Sequence, residues 1–518
     1  MSDIPINCLE EIFKYLEDDR YSFYSFLLVN RNWCNAAVPI IWREHWSPPN
    51  AKIIETYLAC LPEQDRDVLL DQGVDLPDAP EPLFNYPRYL KILDCAWLEE
   101  SIYAYLTVDG PLEPEDIVQL SSMLSMICKL IINCTDGLRG LEVGDWKEHY
   151  NIPELASLPR VRKALSGLNE LHIHGTCYTV TLDGLDNLSN LITVLTHFSN
   201  NIQFMNIDCC HVDKRLGKRL PALIASQNNL RHLLMEDTSQ DSTLSASLIS
   251  ALSNQFNSLR VLAISRFPID EVFLLKLSRC TKLESMNIFH CRYVEGDNIL
   301  LQRIKSQIKL SLSRITCLNN SGNSEILSEI IEMAKQNLTV LVTDDIGANV
   351  LQSLSTSCVN LEYFMMNINT EIIPKLSLLL ELNIKHLILH SESTSINFTT
   401  EMLVEIGQSL PLSLEYLDID FVVDSGELEV ILRECRAGIK RLGMKLAIDP
   451  NVRAGVNDQF LEVIINYAKR REGKFKELRI DRGREFLKDK HFSKGMLART
   501  SNLFEISHEY KDSWNYFR

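Results

Sequence analysis

The 518-residue chain lacks the long apolar stretch that a membrane-spanning helix needs. No window holds 18 consecutive apolar residues, and the densest run, Leu376 to Leu382, is broken by Ser377 and Glu381. A basic segment ahead of an apolar core is also missing, since Met1-Ser2-Asp3 leads straight into the first periodic segment. Secretion and membrane anchoring are therefore not expected. None of the 14 cysteines forms a C-x-x-C pair, and Cys209-Cys210 are adjacent, a poor spacing for zinc. Without a signal segment they read as reduced thiols, not as a disulfide framework. G-x-S-x-G, G-x-x-x-x-G-K-[ST], H-E-x-x-H and a dinucleotide fingerprint are all absent. The acidic pairs Asp344-Asp345 and Asp418-x-Asp420 read as solvated surface groups. The expectation is a protein without catalytic residues, cofactor or metal.

What is present exceeds a single core in size, so at least two folding units or a repeat array are expected. Hydrophobic content of 46% and charged content of 23% are ordinary for globular protein. The net charge of −17 argues against non-specific nucleic-acid binding as the main role. Charge is unevenly placed. Residues 47–136 carry 5 Lys/Arg and 16 Asp/Glu, whereas residues 469–499 carry 12 Lys/Arg and 5 Asp/Glu. The basic segment reads first as a solvated terminal cap and second as a contact for an acidic partner or a nucleic acid.

The first 46 residues form a compact apolar block. Leu9, Ile12, Phe13 and Leu16 recur at helical spacing, with Pro5 near the first turn and Glu10 and Glu11 early in the helix. Glu17-Asp18-Asp19 breaks the segment, and a second apolar run extends from Tyr21 to Val29. Asn30-Arg31-Asn32 then precedes Trp33, and Pro39 is expected to open a last short helix carrying Ile40, Ile41 and Trp42. The pattern Pro5…Leu9-x-x-Ile12-Phe13-x-x-Leu16…Leu27-Leu28-Val29-Asn30-Arg31-x-Trp33…Trp42 resembles the F-box over residues 4 to 46. Ile4, Asn7 and Asn30 depart mildly from the usual residues. The resemblance implies docking onto a Skp-family adaptor and, through it, a cullin–RING ubiquitin ligase. Carried over by position, Pro5, Leu9, Ile12, Leu16, Leu27, Val29 and Trp33 form the implied contact set. A block this small buries little core alone, and its apolar excess suits a partner helix surface. The competing reading is that Leu9, Phe13 and Trp33 serve only an internal core.

Residues 47–130 read as an acidic, proline-containing connector and cap. Helices are expected from Ile53 to Leu61 and from Asp65 to Leu70. Pro77, Pro80, Pro82 and Pro87 exclude regular structure, and the lack of Gly/Ser richness favours an ordered connector over a flexible tether.

From residue 131 to 518 a short unit, L-x-x-L-x-L, recurs. It is seen at Leu138-x-x-Leu141-x-Val143, Leu168-x-x-Leu171-x-Ile173 and Ile202-x-x-Met205-x-Ile207, and continues to Phe475-x-x-Leu478-x-Ile480. Leu338-x-x-Leu341-x-Thr343 is a weaker copy, and residues 308–317 hold a degenerate one. The mean period of about 28 residues falls in the leucine-rich-repeat range. Helical spacing lies between the units, for example from Leu244 to Leu252, Ile326 to Met333, Met402 to Leu410 and Phe460 to Tyr467. The expected fold is α/β: a small all-α block followed by a solenoid with a parallel inner sheet and outer helices. The whole chain resembles F-box proteins with leucine-rich repeats. Cys280, Cys291 and Cys358 match the cysteine-containing repeat and read as small buried hydrophobes.

Strand side chains alternate, so the third, fifth and seventh positions of each unit should face outward on the concave side. The expected target-binding residues are Phe204, His232, Phe289, Tyr363, Tyr416 and Asp418, on a surface of aromatic and acidic groups whose aromatic anchors resemble protein-interface composition. Arg441, Lys445 and Arg479 reverse the charge in the late strands. His172, His174, His232, His386 and His390 also fall on outward positions. The first two lie about 7 Å apart by strand rise with no carboxylate or cysteine at ligand spacing, so they read as surface histidines. The function expected is that of a substrate-recognition subunit of a Skp–cullin–F-box ligase, working in the cytoplasm or nucleus without membrane attachment. The alternative is a non-degradative interaction scaffold with a vestigial or repurposed F-box.

Overall fold

In the computed structural model the described residues are 4–16, 19–44, 48–77, 82–107, 114–144, 152–174, 182–208, 216–237, 242–294, 310–320, 324–391, 398–421, 423–445, 458–471, 473–481, 500, 503 and 505–507. Cys209, Cys210, Pro80 and most of the basic 469–499 segment lie outside them. The chain divides into two compact units, residues 1–259 and 260–518.

The first unit opens with helices α1 (Ile6–Lys14), α2 (Arg20–Phe26) and α3 (Arg31–Ile41). Leu9, Phe13, Phe23, Ala36, Ala37 and Ile40 form their shared core. The Phe13 ring lies at its centre, 4.7 Å from Phe26 and 5.5 Å from both Phe23 and Trp33. The side chain of Asn30, one of the departures from the F-box pattern, caps α3 by accepting the Trp33 amide at 3.0 Å. Pro39 lies inside α3 and opens no further helix. It falls in the last turn, where little helix remains to lose, and burial of Ala36, Ala37, Val38 and Ile40 carries the chain through it.

Helices α4 (Ala51–Ala59) and α5 (Glu63–Asp71) form close to the expected positions. Trp42 packs against Tyr86 at 4.3 Å and Tyr57 at 5.8 Å. The Lys91 amide donates to the Arg43 carbonyl at 2.8 Å, and Arg139 pairs with Glu44 at 3.1 Å. These contacts fasten the helical block to the start of the sheet.

Strands β1 (Ile92–Asp94), β2 (Gly140–Val143), β3 (Glu170–Ile173), β4 (Phe204–Asp208) and β5 (His232–Glu236) pair in parallel in this order. The sheet thus begins well before the boundary expected at residue 131. Leu90-x-x-Leu93-x-Cys95 supplies the buried positions of a first repeat, with Cys95 where the last aliphatic residue normally stands. The connecting helices include α6 (Cys95–Leu106) and α7 (Pro114–Cys134). By length and composition α7 could cross a membrane, which corrects the expectation that the chain lacks such a stretch; the sequence test of unbroken apolar runs missed it because scattered polar residues interrupt it. Here its Met123, Leu124, Ile127, Cys128, Ile131 and Ile132 are buried as the helix packs on α5 and α6.

The second unit contains β6 (Val261–Ser265), β7 (Pro268–Ile269), β8 (Ser285–Phe289), β9 (Arg292–Tyr293), β10 (Arg314–Leu318), β11 (Val340–Thr343), β12 (Tyr363–Asn367), β13 (His386–His390), β14 (Tyr416–Asp420), β15 (Arg441–Lys445), β16 (Glu477–Asp481) and β17 (Glu505–Ser507). All except β7 and β9 join one parallel ladder; those two pair with each other. β10 is the degenerate copy, with Leu312, Ile315 and Cys317 in the buried positions. The helices Ser324–Ala334, Thr400–Gln408 and Asp458–Arg470 match expectation, whereas the dense apolar run forms a 3-10 helix, Ile373–Glu381. Parallel strands alternating with helices on one face make each unit a leucine-rich-repeat fold.

Two devices fix the repeats. At most strand entries one carbonyl of the preceding repeat accepts two consecutive amides. Asn169 accepts from Gln203 and Phe204, Glu284 from Ser313 and Arg314, and Lys385 from Glu415 and Tyr416. Buried amide side chains close the corners. Gln227 accepts the Ile202 amide at 3.0 Å and donates to the carbonyls of Ser199 and Leu223; Gln255 donates to those of Ile224 and Gln227. Asn320 serves the second unit, accepting the Cys291 amide at 2.7 Å and donating to the Ile288 carbonyl. Arg266, His290 and Asn319, each just past a strand, share a left-handed turn with φ of 64°, 51° and 57°.

Candidate functional site

Three surfaces gather the residues singled out in the sequence. The first is the outer side of the N-terminal block. Pro5, Ile12 and Val29 are exposed, Ile12 by 45% and Val29 by 54%, together with Ile4, Ile6, Tyr15 and an 88% exposed Leu28. Leu9 is fully buried in the block's own core, which removes it from any contact set. Leu16, Leu27 and Trp33 are half-buried against that core, and Trp33 stacks edge-on to Phe26 at 5.3 Å. Helical spacing locates an apolar face but does not distinguish a partner from the chain's own interior.

The second surface lies on the open sheet face of the second unit. Tyr363, His386, Tyr416 and Arg441 are in register on β12 to β15. His386 lies 4.7 Å from the Tyr363 ring and 5.2 Å from Tyr416, and the Arg441 guanidinium sits 4.9 Å over Tyr416. Below this row, His386 Nε2 pairs with Asp418 at 3.0 Å and His390 Nδ1 with Asp420 at 2.8 Å. A Cβ at Gly443 would overlap the Asp418 carboxylate, so that glycine makes room for the pair. Tyr363, Tyr416 and Asp418 are thus brought together, while Phe289 stands apart on β8. Arg441 also pairs with Glu477 at 2.9 Å, and the Lys445 side chain lies outside the described residues.

The third surface lies on the open sheet face of the first unit. Phe204 and His232 are neighbours at 5.9 Å, and His172 lies 5.0 Å from Phe204. Asp94, Glu142, His172 and Asn206 occupy one in-register row across β1 to β4. The Glu142 carboxylate and His174 Nε2 are hydrogen-bonded at 2.8 Å. That bond lowers the Glu142 pKa and raises that of His174, while burial lowers that of His172. Burial pushes Asp94, whose carboxylate caps α6 through the Trp97 amide, up to about 6. The premise that no carboxylate stands at ligand spacing from the two histidines is therefore corrected. Glu142 arrives from the neighbouring strand, where linear spacing does not reveal it. A column-wise reading would have found it, since Glu142 in Leu138-x-x-Leu141-x-Val143 holds the same station as His172 one repeat later.

No protein-family model matches the chain, and no curated protein matches its sequence. Among solved structures it is similar to a chain of the Rad7–Elc1 complex in yeast, at 15% identity over 77% of this chain and 96% of that one, with a TM-score of 0.37. It is also similar to an internalin from Listeria monocytogenes, at 14% identity over 80% of this chain and 95% of that one, with a TM-score of 0.31. The leucine-rich-repeat assignment rests on the strands and helices described above.

Proposed function

We propose that this chain is a substrate receptor of a Skp–cullin–F-box ubiquitin ligase. In this reading α1 to α3 dock a Skp-family adaptor and the open sheet faces select a protein target. The observation that carries it is the exposed apolar surface of Pro5, Ile12, Leu28 and Val29 on a helical block whose core is already closed. Exposed apolar groups of this kind, with Glu10, Glu11 and Lys14 exposed beside Ile12 on α1, suit a partner's helices. The row of Tyr363, His386, Tyr416 and Arg441 across β12 to β15 has interface composition, and the chain supplies proximity while ubiquitin chemistry is left to its partners. The protein would act in the cytoplasm or nucleus.

The test is Ile12→Asp with Val29→Asp in the full chain; Leu16 is avoided because it packs on the core. Co-purification with adaptor and cullin should be lost while the melting temperature stays within a few degrees. Undiminished adaptor binding by the double variant overturns the proposal. Stable protein partners recovered without any cullin favour the scaffold alternative.

A further inference from the structure

We infer that Glu142, His172 and His174 form a site for a divalent first-row transition ion of the zinc class on the open sheet face of the first unit. This inference does not depend on the ubiquitin-ligase reading. One ligand atom from each of the three residues lies within 4.8 Å of the others. His172 and His174 are two apart at the end of β3 and so project from the same face, and Glu142 is the direct cross-strand partner of His172. The backbone supports this placement. The His174 amide donates to the Val143 carbonyl at 2.9 Å, and Gly144, with φ of 94°, lets the two chains approach so closely that a Cβ there would overlap the His174 carbonyl.

Two imidazoles and one carboxylate are a borderline donor set. They suit zinc and its neighbours, whereas calcium and magnesium seek an oxygen cage. With metal–ligand bonds of about 2.0–2.1 Å, tetrahedral ligand atoms lie about 3.4 Å apart. The widest pair must therefore close by about 1.4 Å and the Glu142–His174 pair must open by about 0.6 Å, movements within reach of side-chain rotation. Asp94, in the same row, and Asp208, at the end of β4, add negative charge that acts on His174 and favours a dication over a neutral ligand. Three protein ligands leave at least one position open toward solvent, where a water or a side chain of a bound target would complete the coordination.

The experiment uses the full chain, stripped with a chelator and desalted. Zinc is titrated against a chromophoric chelator, and cobalt is followed by its visible absorption. One equivalent should bind with a tetrahedral nitrogen–oxygen spectrum and without the near-ultraviolet thiolate band, a necessary distinction in a chain with 14 cysteines. His172→Ala with His174→Ala should abolish that equivalent, and Glu142→Gln should weaken it by at least roughly 100-fold. Circular dichroism checks that each variant is folded. If the histidine variant fails to fold, the glutamine variant decides, since it keeps the size and polarity of the side chain. Unchanged affinity in a folded variant, a thiolate band, or no bound equivalent at micromolar zinc overturns the inference.

Discussion

Single residues show what burial does to ordinary chemistry here. Burial pushes the thiols of Cys280, Cys291 and Cys358 up to about 12 and raises Cys317 as well. A raised thiol pKa keeps the proton on sulfur, so at pH 8 these thiols are held in the unreactive protonated form. Iodoacetamide at that pH should label exposed Cys8 in the native chain, and these four only after denaturation, as peptide mass spectrometry would show. The role of Cys280, Cys291 and Cys358 as small buried hydrophobes was legible because the sequence places them in repeat positions; that of Cys317, in the degenerate unit, was not. The division of labour in the N-terminal block was not. Leu9 and Ile12 share a helical face in the sequence, yet one closes the core and the other meets solvent, a difference set by how α3 crosses α1.

At the level of elements, the corner amides and one glycine matter most. Gln227→Ala would leave the buried Ile202 amide and the Ser199 carbonyl without the partner that Gln227 supplies, while the Leu223 carbonyl keeps the Ser226 hydroxyl. It should cost about 2–4 kcal/mol by urea unfolding, whereas a change at exposed Gln352 should be nearly neutral. Gly144→Ala combines a left-handed backbone with a clash on the His174 carbonyl and should cost about 3 kcal/mol. The strands with full L-x-x-L-x-L units were readable because the alternation itself is the burial pattern. β1 escaped notice because Cys95 ends its unit and prolines precede it. Gln227 and Gln255 stand one repeat period apart, but two amides are too few to declare a pattern, and the lone Asn320 looks the same on a surface or in a corner.

For the whole molecule, stacked repeats imply that damage stays local. A repeat touches mainly its sequence neighbours, so stability is a sum of near-neighbour contributions. Hydrogen exchange on the Gly144→Ala protein should therefore quicken in β1 to β4 while β12 to β15 keep their protection. Uniform acceleration along the chain would contradict this view. The fold class was readable in the period alone, because only stacking can bury the apolar edge of so short a unit. The identity of any target was not, because the outward residues obey no period.

The paired amides at most strand entries also bear on which insertions and deletions the chain tolerates. Because Asn169 holds both Gln203 and Phe204, the count of residues from that anchor to the outward side chains is fixed. An extra residue between anchor and strand end turns every later side chain of that strand to the opposite face. Between one strand's end and the next anchor the count is free, as the unequal intervals from β10 through β16 illustrate. Length can therefore vary among the connecting segments, or by whole repeats, without disturbing the outward-facing rows.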